Sequence, residues 1–348
     1  MRYLILIAGL LSLWSCEKAG GEVPIINEEK PLFEVPSNFD EPVYDLSKNP
    51  VSEEGFQLGR KLFYDGRLSR DGTISCAECH GQPYAFTHHG HIVSHGIDNR
   101  VGRRNAPPIQ NTAWMTSFFW DGGVFDLDLF SPAPIMNPLE MDETMTNVID
   151  KIAADSTYRQ MFKEAYGTEE VNTSRFLRAL SQFMNALVSA NSRYDKYVRN
   201  EPGGELTADE LEGLRLFEQK CSSCHSGALF SDQSFRNNGL EPFRIDPDLG
   251  RALVTERPED RLKFKVPSLR NIRFTAPYMH DGRFSSLDDV LDHYAAGVQD
   301  TENLDPLLKS EDGILGIALT STEKAQIISF LKTLSDEEFV RDSRFAAP

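Results

Sequence analysis

Apolar positions recur at helical spacing over most of this chain, and period-two alternation is scarce, so the pattern predicts a mainly α protein. Helical signals begin at Ser52-Glu53-Glu54, and 55–64 places Phe56, Leu62 and Phe63 near one face. Residues 143–198 read as helices, with Phe176, Leu180, Phe183 and Leu187 in register. Pro202-Gly203-Gly204 marks a linker within 200–205. Thr207-Ala208-Asp209-Glu210 is a capping box that opens a further helix. Segments 287–294 and 321–334 are also helical. Segments 85–102 and 305–319 read as loops, the first carrying His88, His89, His91 and His95. Residues 17–50 are polar, rich in Pro, Glu, Asn and Gly, and show no clear period.

Polar turns lead into two pentads, Cys76-Ala77-Glu78-Cys79-His80 and Cys221-Ser222-Ser223-Cys224-His225. C-x-x-C-H is the attachment signature of haem c: two thiols add to the vinyl groups of one porphyrin, and the adjacent His gives its imidazole to the iron. A zinc knuckle or a redox dithiol also uses C-x-x-C. A redox dithiol does not need the following His, and a zinc site does not need it twice.

The chain has 348 residues, a net charge of −17 and five cysteines. The length suggests two domains. The acidity excludes nucleic acid as a partner, because nothing here neutralises phosphates. It is compatible with steering a basic partner protein, and equally with a merely solvated acidic surface. Met1-Arg2 and the apolar run 3–14 form a secretory signal too short to span a bilayer. That signal ends in Leu13-Trp14-Ser15-Cys16, which resembles a bacterial lipobox; the alternative is an ordinary signal peptide that carries a Cys. With Cys16 lipidated, 17–45 becomes a tether, and the remaining four cysteines are those of the pentads. No second apolar run is long enough for a transmembrane helix.

The halves share further spacing. Gly59-Arg60-Lys61-Leu62-Phe63 precedes the first pentad and Gly213-Leu214-Arg215-Leu216-Phe217 the second. Pro107, Asn111, Trp120 and Asp121-Gly122 recur in step as Pro267, Asn271, His280 and Asp281-Gly282. Such gap-free matches predict two duplicated cytochrome c-like domains, 46–200 and 201–348, each with one haem c. Trp120 stands where His280 stands, so the two haems should have different jobs.

Taken with Gly102-Arg103-Arg104-Asn105-Ala106-Pro107, Phe119-Trp120-Asp121-Gly122, Glu140-Met141, and 266–271 running into Thr275-Ala276-Pro277-Tyr278-Met279-His280-Asp281-Gly282, the chain resembles the bacterial di-haem cytochrome c peroxidases, a superfamily that includes MauG. The resemblance covers about 50–340. It implies that the haem held by His80 is the peroxide site and the haem held by His225 takes in electrons. It implies Glu140 as distal acid/base, Trp120 as electron relay, and a calcium bound by the Asn105 side chain and the Thr275 and Pro277 carbonyls. It also implies a small c-type cytochrome or similar donor and an often dimeric assembly, and the extreme C-terminus is expected to pack back on the first domain. Residue chemistry agrees on Glu140: among Pro138, Leu139 and Met141 a carboxylate can be pushed towards neutrality and serve as acid, then base.

Three positions depart from the peroxidase pattern. Where a His caps the resting peroxide haem, Ile97 stands, with His95 two residues away as a replacement ligand. Where a Met ligates the electron-entry haem, Tyr294 stands, with Met279 as the competing ligand; a Tyr oxygen favours ferric iron. A Gln near the peroxide pocket is replaced by Phe130. The sequence therefore predicts a periplasm-facing lipoprotein, anchored to the outer membrane, that reduces hydrogen peroxide. Two alternatives stand: a MauG-like enzyme that oxidises residues of a partner protein, and a di-haem electron-transfer cytochrome without chemistry of its own.

Overall fold

Two long helices cross in the first half of the molecule, and two more cross in the same way in the second. The structure, a computed structural model, describes residues 31–242 and 247–348. The signal, Cys16 and 17–30 lie outside these residues. Leu32–Pro348 forms one unit that is mainly helical. The principal helices are α1 (Glu53–Phe63), α2 (Cys76–Cys79), α3 (Pro132–Met136), α4 (Met145–Ala154), α5 (Ser156–Tyr166), α6 (Thr173–Ala186), α7 (Arg193–Val198), α8 (Ala208–Lys220), α9 (Ala252–Thr255), α10 (Leu287–Asp292) and α11 (Ser321–Lys332). A two-residue ribbon pairs β1 (Phe235–Arg236) with β2 (Phe264–Lys265), antiparallel. Among the described residues no helix is long and apolar enough to cross a membrane.

The helices start where the sequence supplies caps. Ser52 caps α1 through the Gly55 amide, and Thr207 with Glu210 forms a reciprocal capping box on α8. Thr320 with Glu323 does the same on α11. The crossings depend on glycine. A Cβ on Gly59 would lie 2.0 Å from the Ala179 carbonyl oxygen of α6, and one on Gly213 would lie 2.0 Å from the Gln326 carbonyl oxygen of α11. These are the opening glycines of the two segments that precede the pentads. Gly59→Ala and Gly213→Ala should each force the crossing helices apart and cost about 1–3 kcal/mol, the usual penalty of overpacking. Urea denaturation of each variant checks this; an unchanged midpoint would mean that the crossings do not need close backbone approach.

The repeated spacing has a backbone counterpart. Asn111 and Asn271 both have positive φ, as do Phe119 and Met279, and Gly122 and Gly282. The bridge Phe118↔Val124 is matched by Tyr278↔Phe284. Each glycine turn seats against the other half: a Cβ on Gly122 would strike the Phe235 ring, and one on Gly282 the Ile92 carbonyl.

Two main cores result. One gathers α1, α4, α5 and α6 around Phe56, Phe63, Phe162 and Phe183, and Phe339, Val340 and Phe345 from the far C-terminus join it. Tyr64 donates to the Phe345 carbonyl at 2.8 Å and Arg60 to the Ala346 carbonyl at 2.6 Å. The other core joins α8, α10 and α11 around Phe217, Phe230 and Phe330. A buried ion pair lies where the halves meet. Arg270 donates to both carboxylate oxygens of Asp195, at 2.9 and 2.8 Å, with both side chains sealed from solvent.

Part of the stretch read as a tether is laid on the body. Phe33 stacks on Trp114 at 5.7 Å, Phe39 meets the same ring edge-on at 5.1 Å, and the Trp114 indole donates to the Asp40 carbonyl. An extended strap that docks through isolated aromatics has no helical period, so the apolar pattern did not reveal it.

Candidate active site

The first pentad forms α2, and its His80 closes the turn by donating its amide to the Cys76 carbonyl. His80 Nδ1 lies 2.8 Å from the Phe86 carbonyl oxygen, and His225 Nδ1 lies 3.1 Å from that of Phe230. In each ring the backbone fixes Nδ1, the arrangement that orients a metal-binding imidazole, and the His225 ring also faces the Pro267 carbonyl. Burial depresses both imidazoles, His80 to about 4, so both are neutral and able to donate a lone pair.

All four pentad thiols are free. Burial raises them, Cys76 and Cys221 to about 12 and Cys79 to about 11, with Glu140 adding to the shift at Cys79. The zinc alternative needs thiolates converging with a third ligand. Among the described residues no such grouping of His, Cys, Asp and Glu occurs. Two thiols, an anchored imidazole and an apolar surround fit a covalently attached porphyrin at each pentad.

Glu140 stands beside the first pentad. Its carboxyl is half-buried, and burial pushes its pKa up to about 7, with an Asn137 hydrogen bond pulling the other way. Its own backbone is gripped from the loop opposite: Ile97 donates to the Glu140 carbonyl at 2.9 Å, and a Cβ on Gly96 would collide with the Leu139 and Glu140 carbonyls. Ile97 is buried. The His95 carbonyl lies 3.8 Å from Cys79 Sγ, while the His95 ring packs on His91 at 4.4 Å.

Trp120 is held by both halves. Its indole donates to the Asn105 carbonyl at 2.9 Å, and its own carbonyl accepts from the Lys265 amide at 2.7 Å. Its ring meets His280 edge-on at 6.5 Å, and His280 stacks on Phe264 at 3.7 Å. A cleft with an empty volume of about 590 Å³ opens alongside, walled by Phe119, Trp120, Phe130, Pro107, Lys265 and Pro267. Phe130 stacks on Phe119 at 4.7 Å, so the wall is apolar where the family pattern carries an amide.

At the second pentad both competing ligands converge on one side chain, Asn238. Its amide donates to Met279 Sδ at 3.5 Å and also bonds to Tyr294. Tyr294 sits on a π-helical turn, His293–Gly297, continuous with α10. Burial raises its phenol to about 12, and the thiols of Cys224 and Cys221 contribute, which marks its closeness to that pentad. Sequence reasoning had no signal for Asn238. The Asn105 amide nitrogen donates to the carbonyls of both Pro277 and Ile92, at 3.3 Å each. Ile92 was not foreseen, because a carbonyl leaves no mark in a sequence. Thr275 is buried close by in the chain, before the cis Ala276-Pro277 bond.

The model of a family described as di-haem cytochrome c peroxidase matches residues 53–203. The cytochrome c551 peroxidase of Nitrosomonas europaea is 33% identical over 303 residues, covering 86% of this chain and 85% of that protein. The chain belongs to the di-haem cytochrome c peroxidase family. The methylamine utilization protein MauG of Methylorubrum extorquens is 35% identical over 300 residues, 83% of this chain and 80% of its own length. Among solved structures, a MauG-like protein associated with microbial copper homeostasis superposes with a TM-score of 0.81 at 35% identity, covering 90% of this chain and 98% of that one. Membership makes this di-haem peroxidase relative an oxidoreductase of the peroxidase type.

Proposed function

We propose that the chain reduces hydrogen peroxide to water with electrons from a small c-type cytochrome or similar donor, using two haems c in duplicated domains. The observation that carries this reading is the half-buried Glu140 carboxyl beside the Cys79 thiol of a Cys-x-x-Cys-His pentad, where burial pushes it up to about 7. The recurrence of positive-φ positions and glycine crossings in both halves supports the duplication.

Cys76, Cys79 and His80 would hold one haem, and Cys221, Cys224 and His225 the other. When bound, the first supplies an open iron position and electrons for splitting peroxide. Glu140 takes the proton from one peroxide oxygen and returns it to the other as the O–O bond breaks, so that water leaves. Two further protons and two electrons complete the second water. Ile97 and the loop at Gly96 keep the Glu140 backbone in place, and Phe119 and Phe130 exclude water from the cleft. Trp120, pinned by Asn105 and Lys265, lies in the path for electrons between the halves.

A second reading, oxidation of residues on a partner protein as a MauG-like enzyme, is favoured by Tyr294 near the second pentad and by Phe130 in the cleft wall. Peroxide titration of the diferric protein separates the two. Reduction of peroxide at the expense of a cytochrome should need prior one-electron reduction. A stable two-electron-oxidised state formed without it assigns the MauG-like role instead. A protein with two low-spin haems that ignores peroxide would be a plain electron-transfer cytochrome, and that result would end both readings.

With the Asn105 amide turned so that its oxygen takes the place of the nitrogen, Asn105 and the Pro277, Ile92 and Thr275 carbonyls would supply the oxygen-rich set that calcium takes. Export and lipidation at Cys16 follow from the N-terminal pattern and would put the body in the periplasm on an outer-membrane anchor. A homodimer remains part of the proposal through family resemblance alone.

A further inference from the structure

A buried ammonium in the cleft has no counter-charge of its own. Lys265 lies at the end of β2, and its Nζ donates to the Ser117 carbonyl at 2.5 Å. Among the described residues no carboxylate comes within ion-pairing distance of it. The nearest acid acting on it, Asp121, is paired with Arg104. Burial depresses the amine to about 8, partly countered by Asp121. An ammonium held at such a site without a counter-ion is costly, and an anion arriving there would offset that cost.

A second polar group beside it is also unmet. The Ser117 side chain is buried, and its hydroxyl has no hydrogen-bond partner. Unsatisfied buried hydroxyls are rare in folded proteins and call for an absent partner. The cation and the hydroxyl share one residue, since Lys265 is tied to the carbonyl of Ser117 itself. A carboxylate entering the cleft would meet the ammonium, and the unmet hydroxyl belongs to the residue to which that ammonium is tied.

The walls say which carboxylate. Met115, Phe119 and Phe130 pack on the same hydrophobic core as Cys76 of the first pentad. A porphyrin tethered at Cys76 and Cys79 brings two carboxylates on its edge. We propose that Lys265 and Ser117 form the seat of a propionate of the haem at the first pentad, with the ammonium as its counter-ion. The second half thereby sets the charge around the first half's haem, from a lysine whose amide also holds Trp120. Lys265 is a positioning residue here, and the inference rests on the di-haem reading.

The test uses the full haem-loaded protein. Lys265→Gln keeps a donor for the Ser117 carbonyl and deletes the charge. It should retain two covalent haems by pyridine haemochrome assay. At a fixed redox poise, its ferric-to-ferrous ratio at the first haem should rise about tenfold, as expected for losing one nearby positive charge in a partly buried site. Lys265→Arg should stay within about twofold of the parent. Ser117→Ala, a smaller change, should shift the ratio in the same direction by less, and it serves as the readout if Lys265→Gln does not accumulate. An unchanged ratio in these charge and hydroxyl deletions, an equal shift in Lys265→Arg, or a shift confined to the second haem would each overturn the seat. Loss of covalent haem from the parent protein would instead overturn the di-haem reading.

Discussion

Replacing Glu140 by Gln should lower the rate of peroxide-dependent cytochrome oxidation by 10²–10⁴-fold, the usual worth of a positioned acid/base, with both haems still attached. The amide matches the carboxyl in size and keeps contact with Asn137, so the pocket should persist while the proton shuttle is lost. The pH profile carries the same information. In the free enzyme Glu140 must be ionised to accept the first proton. Its pKa is raised to about 7 by burial, so activity should climb as pH passes upward through about 7, well above the ordinary carboxylate range. That limb should vanish from the residual activity of Glu140→Gln. Steady-state kinetics across pH 5–9 in both proteins decide the matter. A variant with parental rate, or one that keeps the limb near 7, removes Glu140 from the chemistry.

The largest effect on stability should come from Asp195→Asn. It leaves Arg270 buried and charged beside the Ala228 and Ser189 carbonyls and the Phe39 and Phe230 rings. Breaking such a pair from one side costs about 3–5 kcal/mol, equivalent to a Tm lower by roughly 6–20 °C. Removing both charges, as in Asp195→Asn with Arg270→Met, should restore much of the loss, because the uncompensated charge rather than the missing attraction does the damage. The pair also sets a pH limit. Burial works to raise the Asp195 pKa, but the Arg270 hydrogen bonds and charge more than offset it, and the net value is lowered. A depressed carboxylate stabilises above its unfolded-state pKa, and the contribution is lost as pH falls through the folded value. Acid unfolding should therefore begin below the ordinary carboxylate range in the parent and earlier in Asp195→Asn. Thermal scans from pH 7 down to 3 test both. Equal Tm values would show that the ion pair is neutral.

The helices and the pentads were legible because they depend on local rules. The signals at Ser52 and Thr207, apolar periodicity in α6, and the two C-x-x-C-H spacings each state their structure within a few residues. Glu140 was readable only through resemblance; among Pro138, Leu139 and Met141 a surface carboxylate looks the same. Its backbone is held by Gly96 and Ile97, over forty residues away in sequence. Lys265 and Ser117 were invisible for the same reason: neither residue type nor neighbourhood signals a cleft assembled from both halves. Asn238 gave no hint that it touches both Met279 and Tyr294. The aromatic strap around Trp114 was read as tether because contacts made singly by an extended chain leave no periodic trace.

The paired turns at Gly122 and Gly282 have a mechanical meaning. Each half is plugged into the other at a separate point, one against Phe235 and one against Ile92. A body mounted at two points cannot pivot as one mounted at a single hinge can. On the proposed reading, in which electrons pass between the halves by way of Trp120, the gap they cross is held to a fixed width, and the transfer rate should be insensitive to solvent viscosity.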